Sequence, residues 1–475
     1  MIRIGLVATH QLSFPGDKEG MFSKAVEGMK KNAAEMGFEF VWHKNLVITE
    51  EEARAARADM EAQKVDFLLM LNISYSSGFL APVLYRTKGA RVGIWSIPEG
   101  GKKGPVMFNS FCSNNMWQGI NDKYLRADNI VSKWFYGYAD DERFKRRLAV
   151  TVQALSALKK LGESKVALIG GFAPGFNDLY FDERAVLAKF PGMTINRLHE
   201  YGEIIKLAES VTDNDIKKYA DEEKNIKRTE NAGKLYPLSL KIYLGYRRFI
   251  EEHGYDAIAV SCWPKFQDDF KYSVCSVVGM LNDDEIVTAC EGDLMSAISM
   301  LALQEMTKTS TMLMDFSAFD ESDETVLMWH CGPASKKFCK RNGYTLGENY
   351  SGMPHEKGKV NGIGVARDME FDEGDATVFR FSGDMERYLN LSGHFVGNSK
   401  ESFCGCRGWM GNLKLNHEKI GALDFTNTIL AGGFEHHYPI AEGDCSAAVT
   451  EMNNWLGIKP VERISYADYL QIKEK

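Results

Sequence analysis

Short apolar runs that read as strands alternate with longer helical patterns through the first 260 residues, and this alternation narrows the fold more than any other feature. Strand patterns fall at residues 2–8, Phe38–Trp42, Val65–Leu71 and Arg91–Trp95, with helical patterns at Lys18–Glu35 and Thr49–Gln63 between them. A long helical pattern from Glu142 to Leu161 leads into a second series of strands at Lys165–Ile169, Met193–Leu198 and Ala257–Cys262, with helical stretches at Asp213–Lys227 and Ser239–His253. Strands joined through helices run parallel, so the pattern predicts two α/β domains of Rossmann-like build. Ligands gather at the C-terminal ends of such strands. In the first domain those ends carry Thr9-His10-Gln11, Asn72-Ile73-Ser74 and Pro98-Glu99-Gly100-Gly101, groups that can also serve a neighbouring subunit.

After His330 the helical periodicity fades. Short strands at Lys359–Ala366, Ala376–Ser382 and Met385–Ser392 are separated by the turn residues Asn361-Gly362, Glu373-Gly374 and Ser382-Gly383-Asp384. The third part is therefore expected to be mostly antiparallel and barrel-like. Domains are drawn at 1–150, 151–325 and 326–475, in line with about three for this length.

The chain carries a formal charge of −8 and no Lys/Arg-rich run, which argues against a nucleic-acid surface. No apolar run approaches the roughly 20 residues of a membrane span. Met1-Ile2-Arg3-Ile4-Gly5 reads as the start of a strand and not a signal peptide. The nine cysteines are an odd number, and several lie inside apolar runs. That pattern fits a reduced, cytoplasmic protein with buried thiols.

Chemistry concentrates between Cys290 and His330. Glu291 precedes a helical pattern, and Asp315 ends the apolar run Ser310–Met314. Buried carboxylates need partners, and a divalent cation would satisfy both. Oxygen ligands suit Mg²⁺ or Mn²⁺, and an added imidazole shifts preference toward Mn²⁺ and its neighbours, such as Co²⁺. His436-His437, after Gly432-Gly433, supplies imidazoles. Adjacent residues of an extended segment point opposite ways, so one His can ligate metal while the other meets substrate. The Ala257–Cys262 strand exits into Trp263-Pro264-Lys265-Phe266-Gln267. There Trp263 offers a ring face, and Lys265 and Gln267 offer hydrogen bonds, a combination suited to a sugar. Gly170-Gly171-Phe172-Ala173-Pro174-Gly175 only loosely follows a dinucleotide loop, since Phe172 stands at the middle glycine.

The set formed by Cys290-Glu291-Gly292-Asp293, Asp315, Ser261-Cys262-Trp263-Pro264 and His436-His437 resembles L-fucose isomerase and its relatives, with L-arabinose isomerase as the more distant branch. The resemblance implies aldose–ketose isomerisation, usually with Mn²⁺, in trimers or hexamers. It implies that Glu291 and Asp315 bind the metal and handle the proton, that His437 completes the ligand set, and that Trp409 stacks on the sugar. His436 and His330 fall to the substrate, although His330 lies where the arabinose branch has another metal-binding His. Asp315 favours the fucose branch, in place of the Glu of the arabinose branch. The chain is shorter than is typical of L-fucose isomerases, so L-fucose, D-arabinose, L-arabinose and a 6-deoxy-6-sulfo sugar all stay open. Two other readings remain: a non-catalytic sugar-binding protein on the same fold, and a nicotinamide-dependent oxidoreductase using the Gly170–Gly175 loop.

Overall fold

A computed structural model describes residues 1–349 and 363–473. The chain divides into two compact units, Met1–Ser156 and Ala157–Lys475.

The first unit is built on a parallel sheet of β1 (Arg3–Thr9), β2 (Glu39–Trp42), β3 (Phe67–Asn72), β4 (Arg91–Ser96) and β5 (Ser132–Tyr136), in the order β2-β1-β3-β4-β5. Helices cover its faces, so central strands are apolar on both sides, and every residue of β3 is buried. Two helices fall where the periodicity placed them, at Met21–Met36 and Glu50–Ala62. The second begins at a capping box, in which Thr49 accepts from the Glu52 amide and Glu52 reaches back to Thr49. The fifth strand was not expected, because Ser132-Lys133-Trp134-Phe135-Tyr136 mixes polar and aromatic residues as an edge strand does.

The second unit holds two sheets. The smaller contains β6 (Lys165–Ile169), β7 (Thr194–Leu198), β8 (Ala257–Val260) and β9 (Val287–Ala289), all parallel, in the order β7-β6-β8-β9. The larger contains β10 (Thr311–Asp320), β11 (Thr325–His330), β12 (Tyr344–Glu348), β13 (Val365–Glu370), β14 (Gly374–Phe381), β15 (Arg387–Phe395), β16 (Cys406–Leu415), β17 (Glu418–Lys419), β18 (His437–Glu442) and β19 (Lys459–Pro460). Strands β16, β11, β10, β18, β14 and β15 pair in turn, and β15 pairs back onto β16. Every pairing around that ring is antiparallel, so it closes into the expected barrel. The pairs β13–β16 and β15–β19 are parallel additions.

Of the strand expected at Lys359–Ala366, only Val365 and Ala366 lie in a strand, the observed Val365–Glu370, and residues 359–362, with the Asn361-Gly362 turn, lie outside the described residues. Asp315 does not end its strand. It sits mid-strand, where burial gives way to exposure as β10 runs on into its hairpin with β11. Helical structure also continues beyond His330, in Ala422–Gly432 and Ser446–Leu456. Each ends on a glycine in the left-handed region, Gly433 and Gly457.

The Leu294–Thr307 helix joins the two sheets. It is apolar on nearly every side and packs against β8 and β9 as well as β14 and β18. Met312, Met314, Tyr438 and Ile440 fill the barrel core. Strand alternation therefore turns Asp315 and His437 to the outer face, toward this helix and the end of β9.

Candidate active site

Three elements converge on one imidazole. In the β10–β18 pair, Asp315 stands directly opposite His437, which brings cross-strand side chains into contact. Glu291 comes from the turn after β9, which passes through two left-handed residues, Glu291 (φ 60°) and Gly292 (φ 74°). A side chain at Gly292 would meet the Gly171 carbonyl oxygen at 2.3 Å, so only glycine lets the turn close against the loop after β6. The Gly170–Gly175 loop therefore packs beneath Glu291. It leads to a 3₁₀ turn at Asn177–Leu179 and not directly into a helix, so it lacks the strand–turn–helix form of a phosphate cradle.

His437 is fully buried. Its Nε2 lies 3.0 Å from Glu291 Oε2 and 3.6 Å from Asp315 Oδ1. Its Nδ1 lies 3.0 Å from Asp293 Oδ2. Asp293 fixes the ring: Nδ1–H donates to that carboxylate, and Nε2 is left facing Glu291 and Asp315. Asp293 also caps the Leu294–Thr307 helix, accepting from the Ser296 amide at 2.9 Å. Arg380 of β14, fully buried, donates to Asp293 Oδ2 at 2.5 Å and to the Ser296 hydroxyl.

Burial alone would lower the His437 pKa. The hydrogen bonds to Asp293 and Glu291 and the charges of Asp293 and Asp315 outweigh it, and the imidazole is held up to about 10. Burial likewise favours neutral Glu291, but His437 and the charges of His330 and His436 hold its carboxyl below the usual range. Burial opposes ionised Asp293 too, and Arg380 and His437 hold it far below that range.

These donors fit a divalent cation. Glu291, His330 and His437 bring ligand atoms within 4.8 Å of one another, as do Asp315, His436 and His437. Asp315 Oδ1 and His330 Nε2 are buried and have no hydrogen-bond partner among the described residues. The two histidines flanking His437 differ in what their nitrogens can offer. His330 Nδ1 accepts the Cys331 amide at 2.9 Å, so in the neutral ring Nε2 carries the proton. In that tautomer His330 offers a hydrogen bond into the site, while its place in the first cluster makes it a candidate ligand. His436 Nδ1 lies 2.7 Å from Asp178 Oδ2, which leaves Nε2 for the site.

His436 and His437 do not point apart. His436 lies in a bend before β18 begins, so the strand alternation that would separate the rings does not apply. Their centroids are 4.0 Å apart. Phe176 packs edge-on against His436, and its ring centroid is 5.9 Å from that of Trp263.

The other expected sugar contacts are more engaged than the sequence suggested. The Lys265 ammonium pairs with Asp269 at 2.9 Å and Glu200 at 3.4 Å. Gln267 is buried at the start of a short helix. Trp409 is buried on β16, donates its indole N–H to the Glu401 carbonyl, and carries Lys400 Nζ 3.9 Å from its ring centroid. Lys400 is held there by Asp320 and Asp323, which leaves at most one face of Trp409 for stacking.

The sequence reading missed Asp293, Arg380, Asp178 and Phe176 as parts of the site. Arg380 did leave a signal, since an arginine inside Val378-Phe379-Arg380-Phe381 must find a buried anion. Asp293 reads locally as a helix cap, which hides its second role. Asp178 leaves no signal, because its partner is far along the chain.

No protein-family model matches the chain. It is similar over most of its length to a sulfoquinovose isomerase of Priestia aryabhattai, with 24% identity over 443 residues, covering 92% of this chain and 93% of that protein. A sulfoquinovose isomerase of Clostridium sp. (strain MSTE9) is 26% identical over 391 residues, covering 79% and 81%. Among solved structures, an ABC transporter solute-binding protein of Agrobacterium vitis bound with alpha-D-tagatopyranose is 14% identical and covers 65% of this chain and 90% of that one. The TM-score of that match is 0.18. Relatives named as isomerases, matched over 79–92% of this chain, support an isomerase enzyme here.

Proposed function

We propose that this chain is a divalent-cation-dependent aldose–ketose isomerase acting on a 6-deoxy-6-sulfo aldose, the substrate class in the relatives' name. The observation that carries the reading is the convergence of Glu291 Oε2 and Asp315 Oδ1 on His437 Nε2, with the far side of the ring fixed by Asp293.

Glu291, Asp315 and His437 would hold the ion, which would act when bound as a Lewis acid toward the negative charge that grows on O1 and O2. Moving the carbonyl from C1 to C2 requires removal of the C2 proton and return of one to C1, with an ene-diolate between. Glu291, kept ionised by the imidazoles around it, takes the C2 proton, and Asp315 serves the oxygen edge as the second acid–base group. His330 Nε2–H, buried and otherwise unpartnered among the described residues, donates to a sugar oxygen. Phe176, Trp263 and His436 wall the substrate side. Lys265, Gln267 and the open face of Trp409 remain candidates for its far end. The order β2-β1-β3-β4-β5 and the parallel β7-β6-β8-β9 sheet support two Rossmann-like folding units in addition to the barrel. A trimer or hexamer in the cytoplasm completes the reading.

The test is ketose formation from 6-deoxy-6-sulfoglucose, with L-fucose, D-arabinose and L-arabinose in parallel. Chelation should abolish turnover, and Mn²⁺ should restore it better than Ca²⁺, which wants more oxygen ligands. Full activity after exhaustive chelation with no metal detected refutes the cation. Faster turnover of an unsulfonated aldose refutes the substrate class.

A further inference from the structure

Four thiols that the proposed reaction does not use lie near the site: Cys262, Cys275, Cys290 and Cys331. Cys275 opens the Cys275–Asp283 helix and is buried, whereas Cys331 follows β11 and is half-buried. Their Sγ atoms are 3.5 Å apart. Asn349 Nδ2 donates to Cys275 Sγ at 2.7 Å, and the Ser273 hydroxyl lies 3.5 Å from it. Polar donors and a helix N-terminus around one sulfur favour its thiolate. The hydrogen bond to Cys331, then those to Ser273 and Asn349, lower the Cys275 thiol against the opposing effects of burial and of the Glu291 charge. Cys331 is tied to the site through its neighbour, since its amide donates to His330 Nδ1 and its Sγ lies 3.3 Å from that nitrogen.

We propose that Cys275 and Cys331 form a peroxide-sensitive pair that closes to a disulfide and, through Cys331, displaces His330 from the site. The Cys275 sulfur takes one oxygen from hydrogen peroxide as a sulfenic acid, and the other oxygen leaves as water. The Cys331 sulfur then displaces the sulfenic hydroxyl, which leaves with the Cys331 proton as a second water. Two thiols lose two electrons and two protons, and one peroxide becomes two waters. An S–S bond of about 2.05 Å brings the sulfurs about 1.5 Å closer than they stand. Cys331 is the end free to follow, because Cys275 is fixed in a helix. The amide that orients His330 moves with it.

The full-length protein, loaded with Mn²⁺, is treated with hydrogen peroxide, alkylated, digested without reduction and mapped by mass spectrometry. A Cys275–Cys331 cross-linked peptide is expected, together with a fall in turnover of about tenfold or more, since a 1 Å misplacement can cost about a hundredfold. Dithiothreitol should reverse both. Cys275→Ser, or Cys275→Ala should serine disturb the helix start, should be active before peroxide and keep most of its turnover after it. Absence of the cross-linked peptide, a bond mapped to Cys262–Cys290 instead, or equal peroxide loss in the Cys275 variants overturns the proposal. The turnover arm rests on the isomerase reading. The peptide map needs no sugar, so the two can fail separately.

Discussion

Replacing Asp293 by Asn tests whether this buried carboxylate organises the site without touching the ion. Asn keeps the size and is a good helix N-cap, so the bond from the Ser296 amide survives. The charge is lost. Among the described residues Arg380 then has only Glu435, at 4.0 Å, as a facing anion, and a poorly compensated buried cation costs about 3–5 kcal/mol. At His437 two effects compete. Asp293 stabilises a proton on Nε2 as well as a cation beside it, so removing it weakens the competing proton too. A dication feels the lost charge about twice as strongly. At about 7 Å and an effective dielectric of about 20, the loss is ~2 kcal/mol per unit of bound charge before Arg380 offsets it. The net expectation is a Mn²⁺ affinity lower by about 10–100-fold, the usual cost of losing a carboxylate behind a ligating imidazole. Calorimetric titration of Mn²⁺ into the metal-free variant measures this, with circular dichroism and urea unfolding to show that the fold persists at lower stability. In the metal-free protein the His437 pKa should fall below its value of about 10, which proton NMR follows. A folded Asp293→Asn protein with unchanged Mn²⁺ affinity and an unshifted His437 refutes the role given to Asp293.

Glu291→Gln should retain metal and sugar binding and lose turnover by about 10²–10⁴-fold, the usual contribution of a positioned acid–base group. Isomerisation in heavy water should place deuterium at C1 of the ketose, and complete retention of the C2 hydrogen would instead indicate a hydride shift. Gly292→Ala should disrupt the site from below, since its left-handed backbone costs about 1–2 kcal/mol for a side chain even before the Cβ meets the Gly171 carbonyl. Its thermal midpoint should fall, and an unchanged midpoint would contradict the packing described. Burial raises the Glu223 pKa, but the Arg367 charge, the hydrogen bonds from Tyr236 and Tyr344, and the Lys336 charge hold it below its ordinary value. A depressed carboxylate stabilises the fold above its unfolded pKa, about 4.5, and that stability is lost as pH falls through the folded value. Urea unfolding from pH 7 to pH 3 should show the loss, and Glu223→Gln should lower stability near neutrality and flatten the acid limb.

The order of strands and helices was legible in the sequence because hydrophobic period is local. A run such as Phe67-Leu68-Leu69-Met70-Leu71 reports burial on both faces without knowledge of its neighbours. Glu291 and Asp315 could be singled out for a related reason, since acids beside apolar segments need partners wherever the chain goes, whereas His437 was preferred to His436 only through the resemblance to L-fucose isomerase. Their meeting was another matter. Asp315 faces His437 because β10 pairs with β18 in one register, and a slip of one residue would turn the side chains to opposite faces. Nonlocal packing alone placed Arg380 behind Asp293, Asp178 on His436 and Lys400 over Trp409. It also decided which nitrogen of His330 and of His437 is turned into the site, because a ring's tautomer is set by what its other nitrogen touches. The residue types fixed which chemistry this chain can attempt, and the tertiary contacts decided which atom of each residue is turned toward it.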